Sequence, residues 1–338
     1  MSRSTATVPI APAAPAAPGK DEALHDAQAY RRELIAHCYK MVGSVHEAED
    51  LVQETYLRAW RGWETFEGRS SVRTWLYRIA TNLCLTALTH TSRRVLPAGL
   101  GPTSAHPDSP PAAAAGDPPW MEPFPNEIYL TSARDPADIV ASRSSLRLAL
   151  VASLQHLPPR QRAVFLLREV LVYPAVEVAD LLDMSVPAVK SALQRARATL
   201  DDIAPNAELM SEPDSPEARR ILERYMSAFE RADIAALTDL LRGDATLEVV
   251  PSGLWLSGNS TCVPYLADHV LTSPGLYRMY PTIANGQPAA VAYRRADTRQ
   301  PFTPFGVAVL TTDTRHIVAI TTFIDPALVE RFGFPSTL

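Results

Sequence analysis

Five side chains at helical spacing, Lys190, Ser191, Gln194, Arg195 and Arg197, carry the most specific chemistry in this chain. Arg and Gln can each make paired hydrogen bonds to a purine edge in a major groove, while Lys and Ser suit phosphate oxygens. No acid occurs from Met184 to Leu200, so a duplex would meet an unopposed positive face. A trihelical packing module with a basic solvated face is the blander account. A second separation of charge lies nearer the N-terminus. Residues 45–67 hold six acids against two arginines, whereas residues 68–94 hold five arginines and no acid. Signs segregated on that scale suit one surface for a protein partner and another for phosphates, although salt-bridged solvated helices also produce such patterns.

Other chemistry is sparsely supplied. Cys38, Cys84 and Cys262 stand alone, with no CxxC pair and no His at metal spacing. That spacing points to a reducing cytoplasm, without a zinc site or a disulfide framework. Asp244, Glu248, Asp268 and His269 could act as acids or bases inside a cavity, but no two are spaced as a dyad. Each reads better as a cap or a solvated charge, so neither a catalytic residue nor a cofactor is expected. The net charge of −5 is unusual for a protein that simply coats nucleic acid, so any DNA contact must come from local basic faces. No apolar run approaches the roughly 20 residues of a membrane span.

The elements that must position these residues follow from periodicity. Val72, Trp75, Leu76, Ile79, Ala80, Leu83, Cys84, Ala87 and Leu88 repeat at i, i+3, i+4, i+7, which predicts an amphipathic helix with Trp75 in its core. Ser44 and Glu47 form a capping box before it, opening a helix that turns Leu51, Val52, Ala59 and Trp60 inward. Pro158 and Pro159 open a further helix, Pro174 a shorter one, and Ser185 caps a last one running to about Leu200. Asp183 and Met184 form the turn between the last two, and the whole reads as a helix-turn-helix. Ten prolines between Val95 and Pro136 predict a linker that buries no core. The expected organisation is a disordered tail at 1–26, a helical domain at 27–94, a linker at 95–137, the helix-turn-helix domain at 138–204, a short linker at 205–215, and an α+β domain at 216–338.

Two segments make a family resemblance visible. EAEDLVQETYLRAWRGWETFEGRSSVRTWLYRIATNLCL resembles region 2 of sigma-70-family factors of the extracytoplasmic-function group. LPPRQRAVFLLREV with VADLLDMSVPAVKSALQRARATL resembles their region 4. The resemblance implies a factor that directs core RNA polymerase to promoters. Asp50, Gln53 and Glu54 would dock on the coiled coil of the large polymerase subunit. Arg73, Arg78 and Asn82 would open and read the −10 element, with Asn82 helping to hold a flipped-out base. Lys190, Ser191, Gln194, Arg195 and Arg197 would read the −35 element. Two residues depart from the family pattern. Asp183 stands where the turn usually has Gly, a position that Asp tolerates in the left-handed region. Ala192 follows Lys190 and Ser191 where relatives often have Arg, so one DNA contact is expected to be missing.

The third piece resembles SnoaL-like, nuclear-transport-factor-2-like domains, in which a curved sheet and helices enclose a cone. The resemblance is carried by RRILERYMSAFERADIAALTDLLRGDATLEVV, ANGQPAAVAYRR and FIDPALVERFG. Together the resemblances imply a multidomain chain of two all-α domains and one α+β cone. A regulatory role follows for the cone, with a small apolar ligand lined by Trp255, Tyr265 and Tyr280 and no need of a dedicated anti-sigma protein. Two alternatives compete: a helix-turn-helix regulator that never docks on polymerase, and a SnoaL-type isomerase or cyclase carrying DNA-binding domains.

Overall fold

The computed structural model of the chain describes residues 28–68, 70–89, 94–99, 103, 120–129, 145–203 and 215–338. The expected tail and nearly all of the short linker at 205–215 lie outside them.

Helices α1 (Arg31–Val42), α2 (Val45–Gly62) and α3 (Val72–Ala87) form the first domain. Ser44 caps α2 by accepting the Glu47 N–H at 3.1 Å, yet only half of the expected capping box forms. The Glu47 carboxylate pairs instead with Arg94, at 3.1 Å. Glu122 caps the same helix start from another segment, accepting from the Ser44 hydroxyl at 2.9 Å and the Val45 N–H at 2.9 Å. A carboxylate there also meets the positive end of the helix dipole. Along α3 the predicted stripe is buried at Leu76, Ala80 and Cys84, and burial extends to Tyr77 and Thr81. The wider face has a cause: α3 packs on α1 and also on the second domain. The Tyr77 ring meets the edge of His37 at 5.1 Å and of Tyr173 at 6.0 Å. Trp75 is half-buried, with its ring 4.8 Å from Phe66 and 5.9 Å from Trp63.

The second domain contains α4 (Leu148–Leu154), α5 (Pro159–Phe165), a π turn at Leu166–Val170, α6 (Ala175–Leu182) and α7 (Val186–Ile203). Pro159 occupies the first turn of α5, where a missing N–H costs nothing. Asp183 ends α6 at φ 54°, so the left-handed turn survives without Gly. The two helical domains touch directly. Arg162 of α5, 3% exposed, donates to the Met41 carbonyl at the end of α1 and to Gln155 Oε1 at 2.6 Å.

In the third domain, α8 (Pro216–Arg231) and α9 (Ile234–Leu240) precede β1 (Leu241–Val250) and β2 (Leu254–Ser257). Helix α10 (Asn259–Tyr265) follows, then β3 (Tyr277–Ala284), β4 (Gln287–Arg294), β5 (Thr303–Thr312), β6 (Ile317–Phe323) and α11 (Pro326–Arg331). The sheet order is β2-β1-β6-β5-β4-β3, with only β1 and β6 parallel among the neighbouring pairs. Alternation of side chains divides it cleanly. Ala290, Ala292, Ala308 and Leu310 face α8, while Ala289, Val291, Val307 and Val309 belong to the core shared with the helical domains.

That shared core corrects the expectation of a coreless linker at 95–137. Val95, Leu96, Met121 and Phe124 are buried, Phe124 beside Tyr39 at 4.8 Å between ring centres. Proline carries no N–H, so a Pro-rich strand can be buried with few donors to satisfy. Among its described residues, Met121 N–H donates to the Val95 carbonyl at 3.0 Å and Glu122 N–H to the Gly43 carbonyl at 3.1 Å.

The tip of the β3–β4 hairpin locks these parts together. Asn285, fully buried at φ 54°, and Gly286 at φ 64° make the tight turn. The Asn285 amide donates to the Tyr39 hydroxyl at 2.8 Å and the Leu146 carbonyl at 2.9 Å, and accepts from the Phe124 N–H at 2.8 Å. Gln287 accepts from Leu148 N–H at 2.8 Å, and Gly286 N–H reaches Asn126 Oδ1 at 2.9 Å. One turn therefore touches both helical domains and the segment between them.

Lys40 lies at the same junction. It is 6% exposed, with Nζ 3.2 Å from the Ser145 hydroxyl, and burial lowers its pKa from 10.5 to about 8. Lys40→Met is expected to raise folding stability at pH 7 by about 1–3 kcal/mol, since an apolar side chain of similar length avoids the desolvation. Because the folded pKa is depressed, the wild-type deficit is complete below pH 8 and shrinks as pH rises towards 10.5. Urea unfolding of both proteins at pH 7 and pH 9.5 checks the magnitude and the sign.

Candidate polymerase and nucleic-acid interfaces

Helix α2 presents its acids outward. Asp50 is 66% exposed, with His46 3.8 Å away, Gln53 is exposed, and Glu54 pairs with Arg58 at 2.8 Å. Trp60 corrects the expectation that it faces inward, for it is 54% exposed, and Leu57 is 44% exposed. Asp50, Gln53, Leu57 and Trp60 fall at i, i+3, i+7 and i+10 of one face, and a shallow groove runs past Gln53, Leu57 and Trp60. Large apolar groups beside carboxylates are the side-chain types that protein interfaces use. The signal was present in the spacing, but the inward stripe at Val52, Thr55 and Ala59 already satisfied the core.

The cationic residues of α3 separate into two groups. Arg78 and Asn82 are exposed one turn apart on the same face. Arg73 is engaged. It binds Glu33 through two hydrogen bonds of 2.8 and 2.9 Å, reaches the Tyr173 hydroxyl at 3.4 Å, and lies 4.9 Å over the Tyr77 ring. The Glu33 carboxylate, together with the neighbouring tyrosines, holds the Arg73 pKa above its ordinary value despite burial. In this arrangement Arg73 joins the two helical domains.

On α7, Lys190, Ser191, Gln194, Arg195 and Arg197 are all exposed. Arg195 donates to the Ser191 hydroxyl at 2.6 Å, and Arg197 pairs with Glu169 at 2.7 Å. Ala192 is 2% exposed and packs inward, so it takes no part in the exposed basic face. A side chain at that position points at the core.

The two faces make a separable prediction. Arg195→Ala is expected to weaken duplex binding by about 1–3 kcal/mol if it contacts a base. Asn82→Ala is expected to leave duplex binding intact and impair strand opening, because a flipped base is engaged only after melting. Band-shift assays beside permanganate footprinting report the two stages, and equal failure of both variants on the duplex contradicts the division.

The third domain encloses a cavity of about 330 Å³ between α8, α10 and the sheet. Tyr265 lines it. Trp255 and Tyr280 do not, and period-two alternation explains both corrections. Leu247, Val249, Tyr277 and Met279 point into the cavity, so Tyr280, next to Met279, falls on the opposite face beside Tyr293 and Phe334. Trp255 pairs in register with Glu248, which lies on the sheet face away from the cavity, buried, and accepts the Ala98 N–H at 2.9 Å. Burial raises the Glu248 pKa. Exposed Asp244 is paired with half-buried Arg242, and Asp268 and His269 sit in a π turn after α10. Among the described residues no three His, Cys, Asp or Glu side chains could hold a metal ion, and no helix is long and apolar enough to cross a membrane.

Comparison with known proteins accounts for this combination. Residues 27–94 match the family model of sigma-70 region 2, and residues 147–200 match that of sigma-70 region 4. The chain is 48% identical over 314 residues to the ECF RNA polymerase sigma factor SigG of Mycobacterium tuberculosis, covering 92% of this chain and 83% of the relative. It is 29% identical over 221 residues to SigJ of the same organism, covering 65% of this chain and 62% of SigJ. The crystal structure of SigJ superimposes with a TM-score of 0.60 at 21% identity, covering 93% of this chain and all of that one, so the three-domain fold is shared. The chain belongs to the extracytoplasmic-function RNA polymerase sigma factors of the sigma-70 family.

Proposed function

We propose that this sigma factor is restrained by its own C-terminal domain. Core polymerase would be engaged in the cytoplasm by Asp50, Gln53 and Glu54, through the coiled coil of the large subunit and with Leu57 and Trp60 beside them. Arg78 and Asn82 would read the −10 element, joined by Arg73 once it is released. Lys190, Ser191, Gln194, Arg195 and Arg197 would read the −35 element.

What supports the proposal is the β3–β4 tip of the C-terminal domain, which bonds to both helical domains while those two domains also touch directly. The two promoter elements lie about 25 base pairs apart, roughly 85 Å at about 3.4 Å per step. Domains joined by a 3.4 Å contact between Arg73 and Tyr173 cannot straddle that span. The α7 face is already exposed, so restraint acts by holding the two helical domains together and by occupying Arg73, not by masking the −35 reader. Docking on polymerase would supply the free energy that parts the domains. An internal restraint of this kind makes a dedicated anti-sigma protein unnecessary. Run-off transcription with purified core polymerase on genomic fragments tests the assignment: discrete transcripts that require this chain support it, and their absence counts against it.

A further inference from the structure

The cavity of the third domain has a chemical character of its own. Its body is aromatic and aliphatic, and at about 330 Å³ it lies at the small end of ligand chambers, about 300–1,000 Å³. No acid lines it; the only lasting charge is Arg294, joined at the rim by His269. The Arg294 guanidinium is held over the rings of Tyr277 at 5.8 Å and Phe305 at 5.7 Å. Among the described residues it forms no ion pair. Tyr225 supplies a second, independent pointer. It is 1% exposed and lines the cavity, yet its hydroxyl has no hydrogen-bond partner among the described residues. A hydroxyl that lacks a protein partner and opens to the chamber is available to a polar atom of a ligand. Neighbouring acids are turned away, since Glu230 accepts the Met279 N–H at 2.9 Å and Asp268 lies outside the lining.

From these features we infer that the cone binds an amphipathic monoanion, an apolar body with one carboxylate that meets Arg294. The aromatic walls would otherwise suit a quaternary ammonium, but their faces at the rim already carry a cation, which repels another. Arg294 stays exposed at the mouth, so a neutral apolar guest would fill the chamber but leave this unpaired charge unused, whereas a carboxylate would pair with it. By size the guest holds roughly ten to twelve non-hydrogen atoms, at about 30 Å³ for each water-sized unit. A medium-chain or aromatic carboxylate fits. The inference rests on the regulatory reading above for its consequence, though not for binding itself.

Calorimetric titration of the full-length chain with decanoate tests it, with decanol and decylammonium as neutral and cationic counterparts. Decanoate is expected to bind at one site per chain, about tenfold or more tighter than either counterpart, as a charge-assisted pair would give. Arg294→Gln should abolish the preference while decanol still binds, which also reports that the cone is folded. Ala292→Trp, which fills the chamber, should abolish binding of both. Equal affinities, no saturable decanoate binding, or a preference that survives Arg294→Gln would overturn the inference. Run-off transcription with and without decanoate is read separately. A bound ligand that leaves transcription unchanged upholds the chamber and removes the restraint as its consequence.

Discussion

Asn285→Ala is expected to open the chain and raise its activity with core polymerase. Removing the amide strands the buried Phe124 N–H, the Leu146 carbonyl and the Tyr39 hydroxyl, which then retains only its own donation to the Glu122 carbonyl at 2.8 Å. Each orphaned buried group costs about 1–3 kcal/mol, so the closed arrangement should lose a few kcal/mol in total. Alanine also disfavours φ 54°, which Asn tolerates, so the turn itself weakens. The open state leaves those groups to water, and its own stability changes little. A shift of about 3 kcal/mol changes the ratio of closed to open forms by a factor on the order of 100. Small-angle scattering should show a larger radius of gyration, and transcripts should rise at limiting polymerase. A compact variant with unchanged transcription would mean that the hairpin tip restrains nothing.

Reversal of charge at Asp50 should have the opposite effect. Asp50→Arg is expected to cost about 2–5 kcal/mol of holoenzyme affinity if the carboxylate faces a cation across a desolvated interface, because attraction becomes repulsion there. The residue is 66% exposed and its neighbour His46 is 3.8 Å away, so the fold should not register the change. Fluorescence anisotropy with labelled core polymerase measures the affinity, and circular dichroism verifies the helix content. Unchanged affinity removes Asp50 from the docking surface and leaves Leu57 and Trp60 to carry it.

The helix-turn-helix was legible in the sequence because its signals are local. Pro159 and Pro174 mark helix starts, Asp183 tolerates the left-handed turn, and Val189, Ala196 and Leu200 keep a 3.6-residue rhythm. The cone was legible in class but not in lining. A strand read one residue out of phase exchanges its two faces, and aromatic character does not reveal which face is which. Trp255 and Tyr280 were misplaced for that reason, whereas Tyr265 lies on a helix. Trp60 was assigned to the core because it is large and apolar, although an interface asks for the same residue type. The junction at Asn285 was not legible at all. Its partners lie 139 to 246 residues away in the chain, and no periodicity encodes such contacts. Likewise, the burial of Met121 and Phe124 depends on a sheet face formed far downstream.

The central claim is that one chain is closed alone and open on the promoter, and the distance between its helical domains measures this directly. Cys38, Cys84 and Cys262 are all buried, so dyes would attach selectively to cysteines introduced at the exposed positions Glu64 and Ala198. Energy transfer should be high in the free protein. It should fall sharply when core polymerase and promoter DNA are added, as the domains move apart to a separation on the order of 85 Å. Transfer that is low in the free chain, or that stays the same after the complex forms, would contradict the account.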